Sequence, residues 1–335
     1  MAALPSPSGP HAVGTASHAL TDGDRPSHLL SDVSGRELFI KLWYPADCKD
    51  GEPERLWAQF RDIPNLPLPL RGLLWWFRNN ETNSVNGTPF AGIERPRLVI
   101  YNHGLISFAS ENTSLAEDLA SHGFIVIAIE HRAQLAEFQA LNRAQAKEKR
   151  RQDAARQKAL LKAAPAERAD MARAYYEDAE NTNRIVAGRA SDTAFVLRHL
   201  KEVLASVPGL DPDTISKEVS LVGLSLGGAV ATECAKSDQR TTSIVNLDGG
   251  LYGSRIGAPI PQPYLMMYSS ASEGINDTLL PEAARRVTPP GSKHLNYHDI
   301  SALMPVLRLT GATGKTDAAA FIEYRNQQVR EFLLA

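Results

Sequence analysis

The chain has 335 residues and a formal net charge of −2, with 43% hydrophobic and 22% charged residues. That balance belongs to a soluble globular chain able to bury a full core. It excludes a bulk attraction to nucleic acid or to an anionic membrane.

No apolar run reaches the length of a membrane span. Cys48 and Cys234 are the only cysteines, too few for a disulfide framework and suited to a reducing compartment. The segment Met1 to Gly14 is rich in Pro, Ser and Gly and lacks the basic end and apolar core of a secretory leader. The expected location is therefore cytoplasmic.

Residues 1–25 are polar and turn-rich, which predicts an extended surface segment. From Arg36 to Tyr44, Leu38, Ile40 and Leu42 alternate with Phe39, Lys41 and Trp43. This period of two predicts a strand, and Ser34-Gly35 predicts a hairpin with the segment His28 to Val33. Residues 46–95, punctuated by Pro64, Pro67, Pro69 and Gly87, fit no regular element. They read as a long lid-like loop pinned by Leu73-Leu74-Trp75-Trp76-Phe77, with Trp75, Trp76 and Phe77 as candidate contacts to a bound substrate.

Arg97 to Tyr101 is a buried strand that runs into Asn102-His103-Gly104-Leu105. Ser114 to His122 reads as a helix, and Phe124 to Ile129 as a strand apolar on both faces. The polar triplet Glu130-His131-Arg132 follows, expected to form structural ion pairs. Residues 133–185 change composition: Ala, Gln, Lys, Arg and Glu dominate, predicting long helix interrupted near Pro165. Acids are interspersed and aromatics few, so the charge reads as a solvated face of a helical insertion or arm. Ile185 to Leu204 is predicted as one amphipathic helix.

The decisive stretch is Val219 to Ala231. A short apolar run ends in Gly223-Leu224-Ser225-Leu226-Gly227, and small residues that can begin a helix follow. Strand, G-x-S-x-G turn and helix form the context of a nucleophile elbow. The turn must lift a serine hydroxyl clear of the sheet, and glycine on both sides avoids the crowding this creates. The amide of Leu226, in the first turn of the helix, is a candidate oxyanion donor. The second is Leu105 on the loop after the Arg97 strand, where Gly104 lets the backbone approach closely and His103 is read as holding the loop.

Further strands are predicted over Ser243 to Leu247, Pro263 to Tyr268 and Arg285 to Val287, and a helix over Ala318 to Leu334. Alternating strands and helices give a doubly wound, mostly parallel α/β sheet in a single domain over residues 1–335. A serine nucleophile needs a histidine base and an acid that orients it. Asp248 ends the strand after the elbow helix, with Glu273 and Asp277 as rivals. His294 follows a Gly-Ser turn, with His298 as its rival. The chain order Ser, Asp, His is one that elbow-bearing enzymes use. No H-E-x-x-H pattern or phosphate-binding glycine loop is present, so neither a metal nor another cofactor is expected.

These residues carry a resemblance. Gly9-Pro10-His11-Ala12-Val13-Gly14, Leu42-Trp43-Tyr44-Pro45, His103-Gly104-Leu105, Leu119 to Val126, Glu130-His131-Arg132, the elbow, Leu247-Asp248 and Gly291 to Asn296 are similar to the platelet-activating factor acetylhydrolases, within the dienelactone-hydrolase-like α/β-hydrolases. The resemblance runs along nearly the whole chain and implies that the N-terminus belongs to the folded domain. It implies Ser225, Asp248 and His294 as nucleophile, acid and base, the Leu105 and Leu226 amides as oxyanion donors, and a mechanism without metal. The expected activity is hydrolysis of short acyl or lipophilic esters, with transient contact at a membrane surface for a lipid substrate. Where mammalian members commonly have His-Ser-Phe, this elbow has Leu224-Ser225-Leu226. Two competing readings are acyl transfer with the same three residues and a non-catalytic binding module on this scaffold.

Overall fold

The computed structural model describes residues 3–29, 31–47, 51–56, 80–145 and 147–335. Among the described residues, ten strands form one sheet: β1 Ala12–Pro26, β2 Ser34–Ala46, β3 Pro53–Arg55, β4 Glu81–Asn86, β5 Arg97–Asn102, β6 Phe124–Glu130, β7 Val219–Leu224, β8 Thr241–Leu247, β9 Tyr264–Met267 and β10 Arg285–Val287. Their spatial order is β10-β9-β8-β7-β5-β6-β2-β1-β4-β3. From β6 through β10 every pairing is parallel. β2 joins β6 antiparallel, and β1 joins β2 the same way.

Successive side chains on a strand point to opposite faces. Leu98 and Ile100 of β5 therefore join one apolar cluster, and Val99 and Tyr101 the other. Seven helices frame the sheet and the site: α1 Thr113–Ser121, α2 Gln134–Ala144, α3 Lys147–Lys162, α4 Pro165–Asp178, α5 Glu180–Arg198, α6 Leu226–Ala235 and α7 Ala318–Leu334. Val186, Val196 and Leu197 of α5 pack with Ala229 and Val230 of α6 on the first face. Leu115 and Leu119 of α1 pack with Phe321 and Val329 of α7 on the second. Both faces of the central strands are thus covered, which accounts for the burial of all seven residues of β6.

The N-terminal segment departs from its predicted surface course. Residues 12–26 form a strand paired with β2 from Ala12↔Ala46 to Asp22↔Arg36, so β2 takes this strand as its hairpin partner in place of the segment His28 to Val33. Its buried residues include Val13, Gly14, Thr15 and Ala16; small and polar side chains hide the alternation that marks a strand. Gly14 is required, because a methyl group there would sit 2.4 Å from the Tyr44 ring. The Tyr44 hydroxyl lies 2.8 Å from the Thr88 carbonyl oxygen and 3.2 Å from that of Thr15, tying the strand to its neighbours.

Residues 46–95 also contain more order than predicted. β4 adds in parallel to β1, and β3 pairs with β4 at the sheet edge. The β4 sequence ETNSVN is almost wholly polar, and the Glu117 carboxylate accepts from the backbone and side-chain amides of Asn83. Trp75, Trp76 and Phe77 lie outside the described residues.

The charged region resolves into α2, α3 and α4, with Pro165 opening α4, where its missing N–H costs no helical bond. The amphipathic stretch is not one helix. α5 ends at Arg198 and a short helix resumes at Leu200. Between them, the His199 ring stacks on Phe195 at 4.2 Å, with Nδ1 3.0 Å from the Phe195 carbonyl oxygen.

Candidate active site

The carboxyl ends of the parallel strands lie along one rim, and the candidate residues follow them: Leu105 after β5, Ser225 after β7, Asp248 after β8 and His294 after β10. Ser225 has φ 56° and ψ −120°, a conformation that L-residues rarely adopt. Its amide donates to the Leu247 carbonyl at 2.8 Å, locking the turn to β8. A methyl group on Gly223 would lie 2.1 Å from the Gly227 backbone, and one on Gly227 1.9 Å from the Asn102 carbonyl oxygen. Both glycines are therefore dictated by backbone contact. Besides Ser225, only Asp248 and Ile106 among the described non-glycine residues have positive φ, at 54° and 56°. All three sit at this rim, as strain held by surrounding structure often does.

Asp248 is fully engaged. Its Oδ1 accepts from the Ser269 amide at 2.7 Å and from the Ser272 hydroxyl. Its Oδ2 lies 2.7 Å from Nδ1 of His294. Burial opposes charge on the His294 ring, but the bonded Asp248 carboxylate outweighs it, so the pKa is raised above the ordinary histidine value. The rivals are placed differently. Asp277 accepts from the Tyr268 hydroxyl and from Arg286, and the Glu273 carbonyl accepts from Arg168. His298 accepts the Ile300 amide at Nδ1, and burial, with Arg325 nearby, lowers its pKa to about 3. Asp277, Glu273 and His298 are not among the residues that line the cavity with Ser225.

That cavity is about 630 Å³ and is lined by Leu105, Ser225, Leu226, Asp248 and His294 together. Its roof comes from the inserted helices: Gln157, Leu160 and Leu161 of α3, Tyr175 and Tyr176 of α4, and Thr182 of α5. Tyr252 completes an aromatic wall, its ring edge-on to Tyr176 at 4.6 Å and to Tyr175 at 6.2 Å. Gly250 makes room for this wall, since a methyl group there would lie 2.6 Å from the Tyr252 ring. Leu226 opens α6, so its N–H has no acceptor within that helix.

Behind the rim lies a buried polar network. The Arg189 guanidinium donates to the His103 carbonyl at 3.0 Å. His103 Nδ1 bonds the Gly104 carbonyl at 2.8 Å, and Nε2 accepts the His131 amide. Burial drives its pKa well below the ordinary value, so it is neutral and holds the loop. The Glu130 carboxyl accepts the Ala109 amide at 2.6 Å. His131 Nδ1 meets Asp192 at 2.8 Å, and Asp192 binds Arg36 and Arg25. Glu130 and His131 thus supply structural contacts at the end of β6.

Sequence reasoning missed Ser269, Ser272 and the tyrosine wall. The run Tyr268-Ser269-Ser270-Ala271-Ser272 directly after a strand was a readable hint of hydroxyl donors at the rim. Among the described residues, no group of three or more His, Cys, Asp and Glu side chains is arranged to hold a metal ion. No helix there is long and apolar enough to cross a membrane.

A mostly parallel sheet with a strand–serine–helix elbow and an acid and histidine on later strand ends defines an α/β-hydrolase. A ferulic acid esterase from Streptomyces cinnamoneus has the same fold, with a TM-score of 0.70 at 21% identity over 98% of this chain and 90% of that one. The family described as platelet-activating factor acetylhydrolase, isoform II, matches residues 1–334, and the chain belongs to it. The Cavia porcellus platelet-activating factor acetylhydrolase is 25% identical over 98% of this chain and 77% of its own length. The Bos taurus enzyme is 25% identical over 87% and 68%. The protein is a carboxylic ester hydrolase.

Proposed function

We propose that Ser225 is the nucleophile, His294 its base and Asp248 the acid that orients the base. The observation that carries this reading is the 2.7 Å contact between Asp248 Oδ2 and His294 Nδ1, in a cavity that Ser225 also lines. With Nδ1–H held by Asp248, Nε2 is left as the proton acceptor. His294 takes the Ser225 proton as the hydroxyl attacks the ester carbonyl. The oxyanion is stabilised by the Leu105 and Leu226 amides. The imidazolium then protonates the leaving alcohol, and water, activated by His294, releases the acid from the acyl-enzyme.

The proposed substrates are lipophilic esters with short acyl groups, the class that the names of the acetylhydrolase relatives suggest. Leu161 lines the cavity and is 40% exposed, which suits transient contact with a membrane surface that delivers such an ester. A second substrate reading is favoured by Tyr175, Tyr176 and Tyr252: an aromatic ester, as in the name of the ferulic acid esterase, stacking on that wall. We also propose a cytoplasmic site of action. Cys234 is a free, buried thiol, which suits a reducing compartment, and cell fractionation checks it.

The test is turnover of p-nitrophenyl esters from acetyl to dodecanoyl and of a hydroxycinnamoyl ester, with Ser225→Ala as control. A short-chain optimum lost in the variant supports the first substrate class. Preference for the hydroxycinnamoyl ester supports the second. Undiminished hydrolysis in Ser225→Ala would refute the assigned nucleophile.

A further inference from the structure

Glu111 is 1% exposed and lies on the loop between β5 and α1. Its Oε1 accepts two hydrogen bonds, from the Tyr101 hydroxyl at 2.6 Å and from the Gly104 amide at 2.9 Å. The first donor belongs to the sheet, and the second to the His103–Gly104 peptide, one unit before the peptide that carries the Leu105 N–H. Its Oε2 lies 3.9 Å from His298 Nε2, and its carbonyl accepts the Asp299 amide at 3.3 Å. The Glu111 side chain therefore links β5 to the loop carrying Leu105, and its backbone carbonyl ties the same residue to the segment that follows His294. The link is close to the nucleophile: a methyl group on Gly104 would lie 3.4 Å from Glu111 Oε2 and 3.6 Å from Ser225 Cβ.

A buried carboxyl is costly unless its bonds repay the desolvation. Burial raises the Glu111 pKa to about 7, against the bonds that favour its charged form. A merely space-filling role would be met by an apolar residue at lower cost. What an apolar residue cannot do is hold the Gly104 N–H. This matters because an oxyanion donor works only when it is aimed in advance at the place where charge develops. Ile106, two residues beyond Gly104, has φ 56°, so the loop does not keep its shape by backbone preference alone.

We infer that Glu111 is a positioning residue for ester hydrolysis: by fixing the Gly104 peptide to Tyr101 of the sheet, it aims the Leu105 N–H at the reacting carbonyl oxygen. The inference rests on the proposed role of Leu105 as an oxyanion donor. Glu111 touches neither substrate nor the transferred proton.

The experiment compares Glu111→Leu with Glu111→Gln. The glutamine keeps an acceptor for Gly104 and Tyr101, and the leucine keeps volume without one. Turnover is expressed per active site, counted by stoichiometric labelling with a fluorophosphonate, so that misfolded protein does not contribute. Expected in Glu111→Leu is a fall in kcat of about tenfold or more with KM changed less than about twofold, since misaiming a donor costs less than the 10²–10³ of removing one. Affinity for a trifluoromethyl ketone, which mimics the tetrahedral adduct, falls by the same factor as kcat/KM. Glu111→Gln stays within about threefold of the parent, as a retained neutral acceptor predicts.

Amide hydrogen exchange over residues 102–108 is measured on the same proteins and needs no activity. It is expected to quicken in Glu111→Leu alone. Unchanged kcat per labelled site together with unchanged exchange overturns the inference. Quickened exchange with unchanged kcat also overturns it, because the anchor would then not serve the reaction. An equal loss in both variants overturns it too, since charge and not the anchoring bond would be the cause. If Ser225→Ala hydrolyses as well as the parent, it is the assigned nucleophile that fails, and exchange over residues 102–108 still decides whether Glu111 holds the loop.

Discussion

Asp248 Oδ2 stands 2.7 Å from His294 Nδ1, while Asp248 Oδ1 is held by the Ser269 amide and the Ser272 hydroxyl. The carboxylate is thus oriented from one side by a strand end and presented to the imidazole on the other. Asp248→Asn keeps the shape and removes the charge. Because Asp248 raises the His294 pKa and the proposed base must be neutral to act, the acid limb of the kcat/KM profile is expected above pH 6.5 in the parent. In the variant it should move to lower pH, with kcat reduced about a thousandfold or more. A limb that stays in place would mean that another group is titrating.

The elbow glycines admit a sharper structural test. A methyl group at residue 227 would stand 1.9 Å from the Asn102 carbonyl oxygen, which is backbone of β5 and cannot swing aside. Gly227→Ala is expected to lower stability by about 1–3 kcal/mol or more. It should also abolish fluorophosphonate labelling in whatever protein remains folded. Retained labelling with a parental melting temperature would show that the elbow relaxes more easily than its contacts indicate.

The roof over the cavity is testable through substrate size. Leu161 lines the cavity from α3, and Tyr252 belongs to its aromatic wall. Leu161→Trp should depress kcat/KM for octanoyl and dodecanoyl esters at least several-fold while sparing acetyl esters. Tyr252→Ala removes a ring and should raise KM for aromatic esters more than for acetyl esters, by an amount on the order of one lost ring contact, about 0.5–1.5 kcal/mol. Equal effects on all esters would place both side chains away from the bound acyl or alcohol group.

Stability should depend on pH in a direction set by buried acids. Burial raises Glu111 and Glu117 to about 7 and Glu130 to about 8, from a reference of 4.5. A carboxyl whose folded pKa is raised binds more protons folded than unfolded, so stability falls as pH rises through this range. Below pH 6.5 the buried histidines oppose this. His131, lowered by burial to about 4, and His298, to about 3, are protonated more readily in the unfolded chain, so they favour the fold as pH rises to 6.5. Above 6.5 their opposition fades as the unfolded histidines lose their protons, and His294, whose pKa is raised, acts in the same sense as the glutamates. The melting temperature should therefore decline from pH 6.5 to 8. Glu130→Gln keeps an acceptor for the Ala109 amide and should flatten that decline. A melting temperature that rises over this interval would contradict the burial of these acids.

Much of the fold was legible because its central strands announce themselves. Phe124 to Glu130 is buried on both faces, and a continuous apolar run of that length, closed by a polar triplet, marks a strand in the middle of a parallel sheet. The elbow was legible for a related reason: backbone crowding leaves no alternative to glycine at residues 223 and 227. Local chemistry hid other elements. β1 has a polar, small-residue sequence whose partners lie in β2 and β4, so no period marks it. The break in the helix after Arg198 comes from one histidine bonding back to Phe195, which periodicity does not register.

By itself, then, the sequence determined a parallel α/β sheet, the elbow at Ser225 and a short set of acids and histidines at later strand ends, because each of these depends on neighbours along the chain. Only the tertiary structure decided which members of that set meet. His294 and His298 are four residues apart, yet one faces Asp248 and the other accepts the Ile300 amide in a buried site. Glu111, Ser272 and the tyrosine wall surround the rim through contacts between segments far apart in sequence. Hydrogen bonds of that kind depend on distance and direction in space, and no local pattern of residues encodes them.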